Sequence, residues 1–131
     1  MNNNIARSKF WKEFILFNCD YPARNKLEAQ FFAGEVSDFC DCGCNSFNVS
    51  ISESSNIQPI ASPGKYGLVF EAQFRLANES KTLEIMLFAN EAGNLAHVEI
   101  DCCSNSLPVP EEIIVTEPPF HVFASESLLN N

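Results

Sequence analysis

Between Gly67 and Asp101, apolar and polar side chains alternate through three successive runs, broken at Asn78–Lys81 and Asn90–Gly93. Period two is the repeat of a β-strand, because neighbouring side chains leave it on opposite faces. Two short polar breaks turn the three runs into consecutive hairpins. With four-residue loops at both breaks, the spacing predicts Phe74 opposite Ile85, Leu76 opposite Leu83, Ile85 opposite Val98 and Leu83 opposite Ile100. One face is then wholly apolar, built from Leu68, Phe70, Ala72, Phe74, Leu76, Leu83, Ile85, Leu87, Ala96, Val98 and Ile100. The other carries Glu71, Gln73, Arg75, Glu84, Met86, His97, Glu99 and Asp101, with Arg75, Glu84 and Glu99 aligned in one row and Val69 and Phe88 exposed among the acids.

An apolar sheet face of this size requires a cover. In Ile5–Phe17 the residues Phe10, Trp11, Phe14, Ile15 and Phe17 recur at helical spacing, Asn4 can cap the start, and Arg7 is expected to project past the core. A second helix is expected over Pro22–Ala33, burying Leu27, Phe31 and Phe32 and stopping at Gly34. Ser46–Ile51 alternates with Phe47, Val49 and Ile51 inward and reads as a strand. Ser52–Tyr66 has no periodicity and reads as a surface connection, and Glu35–Cys40 as an uncertain, extended approach. Near the end, Leu107–Pro110 is extended, Glu111–Val115 is either an edge strand or a helical turn, and Phe120–Phe123 can dock. The expectation is a single α+β domain over residues 1–131: two N-terminal helices (5–33) packed on one face of an antiparallel sheet of about four strands (45–101), with an extended tail (102–131) docking on the sheet.

The formal net charge is −9, and most of the bases precede residue 27, so the body of the chain is strongly acidic. Such a body repels phosphate backbones and argues against nucleic acid as a partner, favouring a basic protein instead. No run approaches the roughly 20 apolar residues of a membrane span, and Phe14–Phe17 is too short for an export signal. A cytoplasmic protein without membrane contact is expected, with its six cysteines as thiols. No GxSxG, HExxH, phosphate-binding loop or dinucleotide fingerprint occurs, and His97 and His121 are the only histidines. The expectation is therefore a binding protein with no catalytic residues and no cofactor. The partner would meet Glu71, Arg75, Glu84, Met86, His97, Glu99 and Asp101.

Cys40-Asp-Cys-Gly-Cys44 supports an alternative. Thiolates at alternate positions can converge on a soft metal ion if the backbone bends, with Cys102, Cys103, His97 or His121 completing a tetrahedral set. The same cluster offers a thiol-redox role, against which Asp38 and Asp41 would raise the thiol pKa, and the plainer reading, in an ordinary housekeeping domain, is a turn at Asp41 and Gly43 whose cysteines pack beside the sheet. Cys102 and Cys103, as neighbours on a strand, are expected to point to opposite faces.

The string CDCGCNSFNVSI (residues 40–51), the later Leu87–Ile100 hairpin and Leu107-Pro-Val-Pro110 resemble a group of small bacterial proteins of unassigned function. That group combines a C-x-C-G-C turn, a strand, a hairpin written L-F-x(n)-G-x-L-x(3)-E-[IV] and a terminal L-P. The resemblance covers about residues 23–112 and implies an antiparallel hairpin and a bacterial source. In profile, the small, acidic chain without catalytic signatures is similar to the immunity proteins that neutralise basic toxins delivered between bacteria, as in contact-dependent growth inhibition. That likeness implies binding to a toxin domain, such as a nuclease.

Overall fold

The computed structural model describes residues 3–52, 55–64, 66–77 and 81–129. Two helices, α1 (Ile5–Asn18) and α2 (Arg24–Ala33), precede six strands: β1 (Glu35–Ser37), β2 (Phe47–Ser50), β3 (Gly67–Arg75), β4 (Thr82–Ala89), β5 (Leu95–Cys102) and β6 (His121–Ala124). These strands form one antiparallel sheet in the order β1-β2-β5-β4-β3-β6. The α+β class holds, but the sheet has six strands rather than about four. Both additions are edge strands. β1 is three residues long and β6 is wholly exposed, so neither carries enough buried alternation to announce itself.

The helices cover the apolar face. Phe14 meets Phe74 edge-on at 5.3 Å and Tyr21 meets Phe70 at 5.0 Å, while Trp11, Ile15 and Leu27 have no exposed surface. Each such side chain contributes about 1.5–3 kcal/mol through the water it leaves. Asn4 caps α1 by accepting from the Arg7 backbone N–H at 2.9 Å. α2 begins two residues later than expected, without a side-chain cap. Phe17 and Phe32, expected inside, are 68% and 91% exposed, because each lies on the flank of its helix that turns away from the sheet. Arg7, expected outside, is buried. Its Nε donates to Asn45 Oδ1 at 2.9 Å and its Nη2 to Pro110 O at 2.8 Å, with the guanidinium over the Phe10 and Trp11 rings. Gly34 ends α2 in extended rather than left-handed backbone. Its need for glycine is space, since a Cβ there would lie 2.5 Å from Val49 Cγ1.

Both hairpin registers differ from the expected ones by two residues. Phe74 faces Leu83, Ala72 faces Ile85, Ile85 faces Ile100 and Leu83 faces Cys102. A slip of two preserves which face each residue occupies, so the apolar face survives while every cross-strand partner changes. In the β4–β5 hairpin the cause is a tight turn. Asn90 and Asn94 close it, Gly93 sits at φ +84°, and a bulge beside Ala89 takes up the extra residue. In the β3–β4 hairpin Leu76 N–H bonds Lys81 O at 3.0 Å, which places Lys81 in the pairing; residues 78–80 of the expected loop lie outside the described residues.

A second bulge, at Val69, reverses the alternation locally. Val69 is therefore buried rather than exposed, and Leu68 is only half-buried. Ala96, the extra residue near the β4–β5 turn, is half-buried for the same reason.

The aperiodic connection after β2 is not a loose surface loop. Ile60 and Ala61 are fully buried, and both donate backbone hydrogen bonds to Gly93 O, at 2.9 and 3.1 Å. Glu111–Val115 is neither strand nor helix, and it touches the meander through Ala77 N–H to Ile114 O at 2.9 Å. Among the described residues no helix is long and apolar enough to cross a membrane.

Candidate functional site: an acidic groove and a thiol turn

The corrected register rebuilds the open face of the sheet. Across the central strands run two transverse rows, Gln73–Glu84–Asp101 and Glu71–Met86–Glu99. They line a groove of about 450 Å³ together with Ser104 and Asn105. Of the residues expected to meet a partner, Glu71, Glu84, Met86, Glu99 and Asp101 come together here.

His97 joins from the side. Its Nε2 lies 3.5 Å from Glu99 Oε1, and its Nδ1 lies 2.7 Å from Asn48 Oδ1. Asn48 Nδ2 donates to Asp38 Oδ2 at 2.9 Å, which turns Oδ1 of the amide toward the imidazole. His121 reaches the opposite edge, with Nε2 3.9 Å from Glu71 Oε2.

Arg75 is not part of the groove. It faces Thr82 instead of Glu84, and its guanidinium lies 4.6 Å over the Phe120 ring. The expected Arg75–Glu84–Glu99 row therefore does not exist. Among the described residues no lysine or arginine lines the groove.

Glu84 and Asp101 are 9% and 5% exposed, unusual burial for two carboxyl groups on facing strands. Glu84 is held as an acceptor: Ser104 N–H donates to its Oε1 at 2.9 Å and its Oε2 at 3.1 Å, and Thr82 Oγ1 lies 3.3 Å from Oε2. That amide is aimed by Cys103, Ser104 and Asn105, which take φ of 53°, 56° and 63° in succession. Left-handed backbone costs each of these non-glycine residues about 1–2 kcal/mol. Among the described residues no backbone N–H donates to the Asp101 carboxyl. Burial, then a hydrogen bond with Glu99, then the charges of Glu99 and Glu84 raise its pKa to about 7. Gln73 was expected on this face but not among the residues meeting a partner, since its place beside Glu84 depends on the register, and Ser104 and Asn105 were missed because they depend on an unpredicted left-handed turn.

The thiol turn lies between β1 and β2. The sulfurs of Cys40, Cys42 and Cys44 fall within 4.8 Å of one another, with Cys42 Sγ 3.3 Å from Cys44 Sγ. Cys40 Sγ accepts the Cys42 backbone N–H at 3.4 Å. Exposure is graded, with Cys42 in solvent, Cys40 intermediate and Cys44 buried. Hydrogen bonds from Cys40 and from the Cys44 backbone and thiol lower the pKa of Cys42, while the Cys40 thiol is pushed up to about 12 by its bonds to Cys42 and Cys44. A general rise from Asp38 and Asp41 is not what governs Cys42.

Cys102 does not join this group, and neither do Cys103, His97 or His121: among the described residues the convergent set is Cys40, Cys42 and Cys44. Cys102 instead lies on the apolar face with its sulfur 3.7 Å from that of Cys103, and burial is the first cause raising its pKa to about 11. The two do not point to opposite faces, because the left-handed turn at Cys103 takes it out of the strand.

The chain matches no family model, no curated protein and no solved structure.

Proposed function

We propose that this chain is an acidic protein-binding module of the immunity type, which receives basic side chains of a bacterial toxin domain in the groove and so neutralises the toxin. The observation that carries this reading is the gathering of Glu71, Glu84, Glu99 and Asp101 around one groove with no cation among the described residues that line it. Like charges facing each other across a sheet oppose its formation. An arriving ammonium or guanidinium group reverses that penalty, and guanidinium can engage two carboxylates at once. Met86, on the groove floor between Glu71 and Glu99, supplies apolar contact for the stem of such a side chain. The charge of −9 speeds encounter with a cationic surface.

The test joins growth to binding. If the neighbouring reading frame encodes a toxin domain, co-expression with it should restore growth, and purified complex formation should weaken about 10-fold or more in the double variant E71K/E99K. Both residues keep solvent exposure, so the fold should survive. Growth arrest despite co-expression would remove the immunity reading. Protection and binding unaffected by E71K/E99K would move the contact away from the groove.

A further inference from the structure

We infer that the Cys40–Cys44 turn is a preorganised site for one thiophilic d10 metal ion, bound by the thiolates of Cys40, Cys42 and Cys44. This site is independent of the acidic groove and of the partner proposed for it.

Distances come first. A metal with sulfur bonds of about 2.3 Å holds its thiolates roughly 3.8 Å apart in a tetrahedron and roughly 4.0 Å apart in a trigonal plane. Three sulfurs already within 4.8 Å, with one pair at 3.3 Å, bracket those separations. Rotation about side-chain torsions covers the difference without moving the backbone.

The backbone is braced by parts of the chain that have no sulfur in them. Cys40 N–H donates to Ser46 O at 3.1 Å, which closes the turn on itself. Asn3, just before α1, clamps both ends, its Nδ2 reaching Cys40 O at 3.1 Å and Ser46 O at 2.7 Å. Val109 N–H donates to Gly43 O at 2.9 Å, and Asn45 N–H to Ile100 O at 3.1 Å. Gly43, at φ +108°, makes the reversal that brings the flanking sulfurs to one side. A turn held at this many points loses little entropy when an ion binds, which favours affinity.

The donor set selects the ion. Three thiolates with no histidine or carboxylate among the convergent ligands suit soft ions, Cu(I) in a trigonal site or Zn(II) with water completing the tetrahedron. Exposure of Cys42 leaves that fourth direction open to solvent. Each thiol that becomes a ligand releases its proton to the buffer, and no change of oxidation state is involved.

The experiment uses the full chain, reduced with a phosphine and stripped of metal, in competition with a chromophoric chelator of micromolar affinity. Cu(I) and Zn(II) are titrated separately, and thiolate-to-copper charge transfer in the near ultraviolet reports coordination in the copper arm. Wild type should take one ion per chain from the chelator in at least one arm. C42S, which alters an exposed side chain, should weaken binding about 100-fold while keeping the metal-free melting temperature, and C40S should behave likewise. C103S, outside the turn, should bind as wild type does. The inference is overturned if wild type loses to the chelator in both arms, or if C42S and C103S change affinity equally. Which arm wins identifies the ion.

Discussion

Glu84 and Asp101 stand directly opposite each other on β4 and β5, both nearly buried, and of the two only Glu84 accepts a backbone N–H among the described residues, that of Ser104. Burial and the neighbouring carboxyl groups raise the pKa of Asp101 to about 7.

Stability should therefore depend on pH through Asp101. Its pKa rises from an ordinary 3.8 to about 7 on folding, so the unfolded chain releases this proton first. The contribution to stability is complete below pH 3.8 and is lost as pH climbs to about 7. Asp101→Asn, which cannot ionise, should stabilise the fold by about 1–3 kcal/mol at pH 8. In urea titrations that gain should shrink toward zero near pH 4, and a gain independent of pH would mean that ionisation of Asp101 is not its source. Glu84, Glu99 and Glu71 face the same groove, so the profile is to be read as the difference between variant and wild type at each pH.

Arg75 and Glu99 separate the observed groove from the expected charge row. Because Arg75 stacks on Phe120 and faces Thr82, Arg75→Ala should leave binding of a lysine- and arginine-rich peptide unchanged within about 2-fold. Glu99→Gln should weaken it by about 3-fold to 10-fold at low salt, measured by calorimetry. Equal losses in both variants would mean that the peptide reads net charge and not the groove.

Asn45 joins α1 to the sheet through a single oxygen. Its Oδ1 accepts from Arg7 Nε and Trp11 Nε1, both at 2.9 Å, and the amide is 2% exposed. Asn45→Ala strands two buried donors, one of them charged, and should cost about 2–4 kcal/mol by chemical denaturation. A loss below 1 kcal/mol would show that water reaches both donors.

Gly93 and Gly64 share left-handed backbone, at φ +84° and +90°, yet differ in their surroundings. A Cβ at Gly93 would lie 2.1 Å from Ala61 O, whereas nothing approaches within 4 Å of one at Gly64. Gly64→Ala should cost about 1 kcal/mol for the backbone alone. Gly93→Ala adds the collision with a buried loop and should cost about 3 kcal/mol or more. Thermal melts of the pair isolate the steric part.

What the sequence determined by itself was the set of side chains facing the core. Phe70, Phe74, Ile85, Leu87, Val98 and Ile100 are buried as their alternation required, under helices whose Trp11, Phe14 and Leu27 were equally legible, because period and burial are local properties of a strand or a rod. Tertiary structure alone decided who stands beside whom. Each hairpin sits two positions from the register that four-residue loops would set, which puts Gln73 in the place of Arg75 and Asp101 in the place of Glu99 beside Glu84, while a left-handed run at Cys103–Asn105 aims the Ser104 N–H at that carboxylate. The same holds for the thiol turn, where the cysteines were visible as a string, but their convergence depends on Asn3, Ile100 and Val109 from distant parts of the chain. Alternation is unchanged by a slip of two residues, so the sequence carries no signal for that choice, and only the closing of turns and the packing of remote segments makes it.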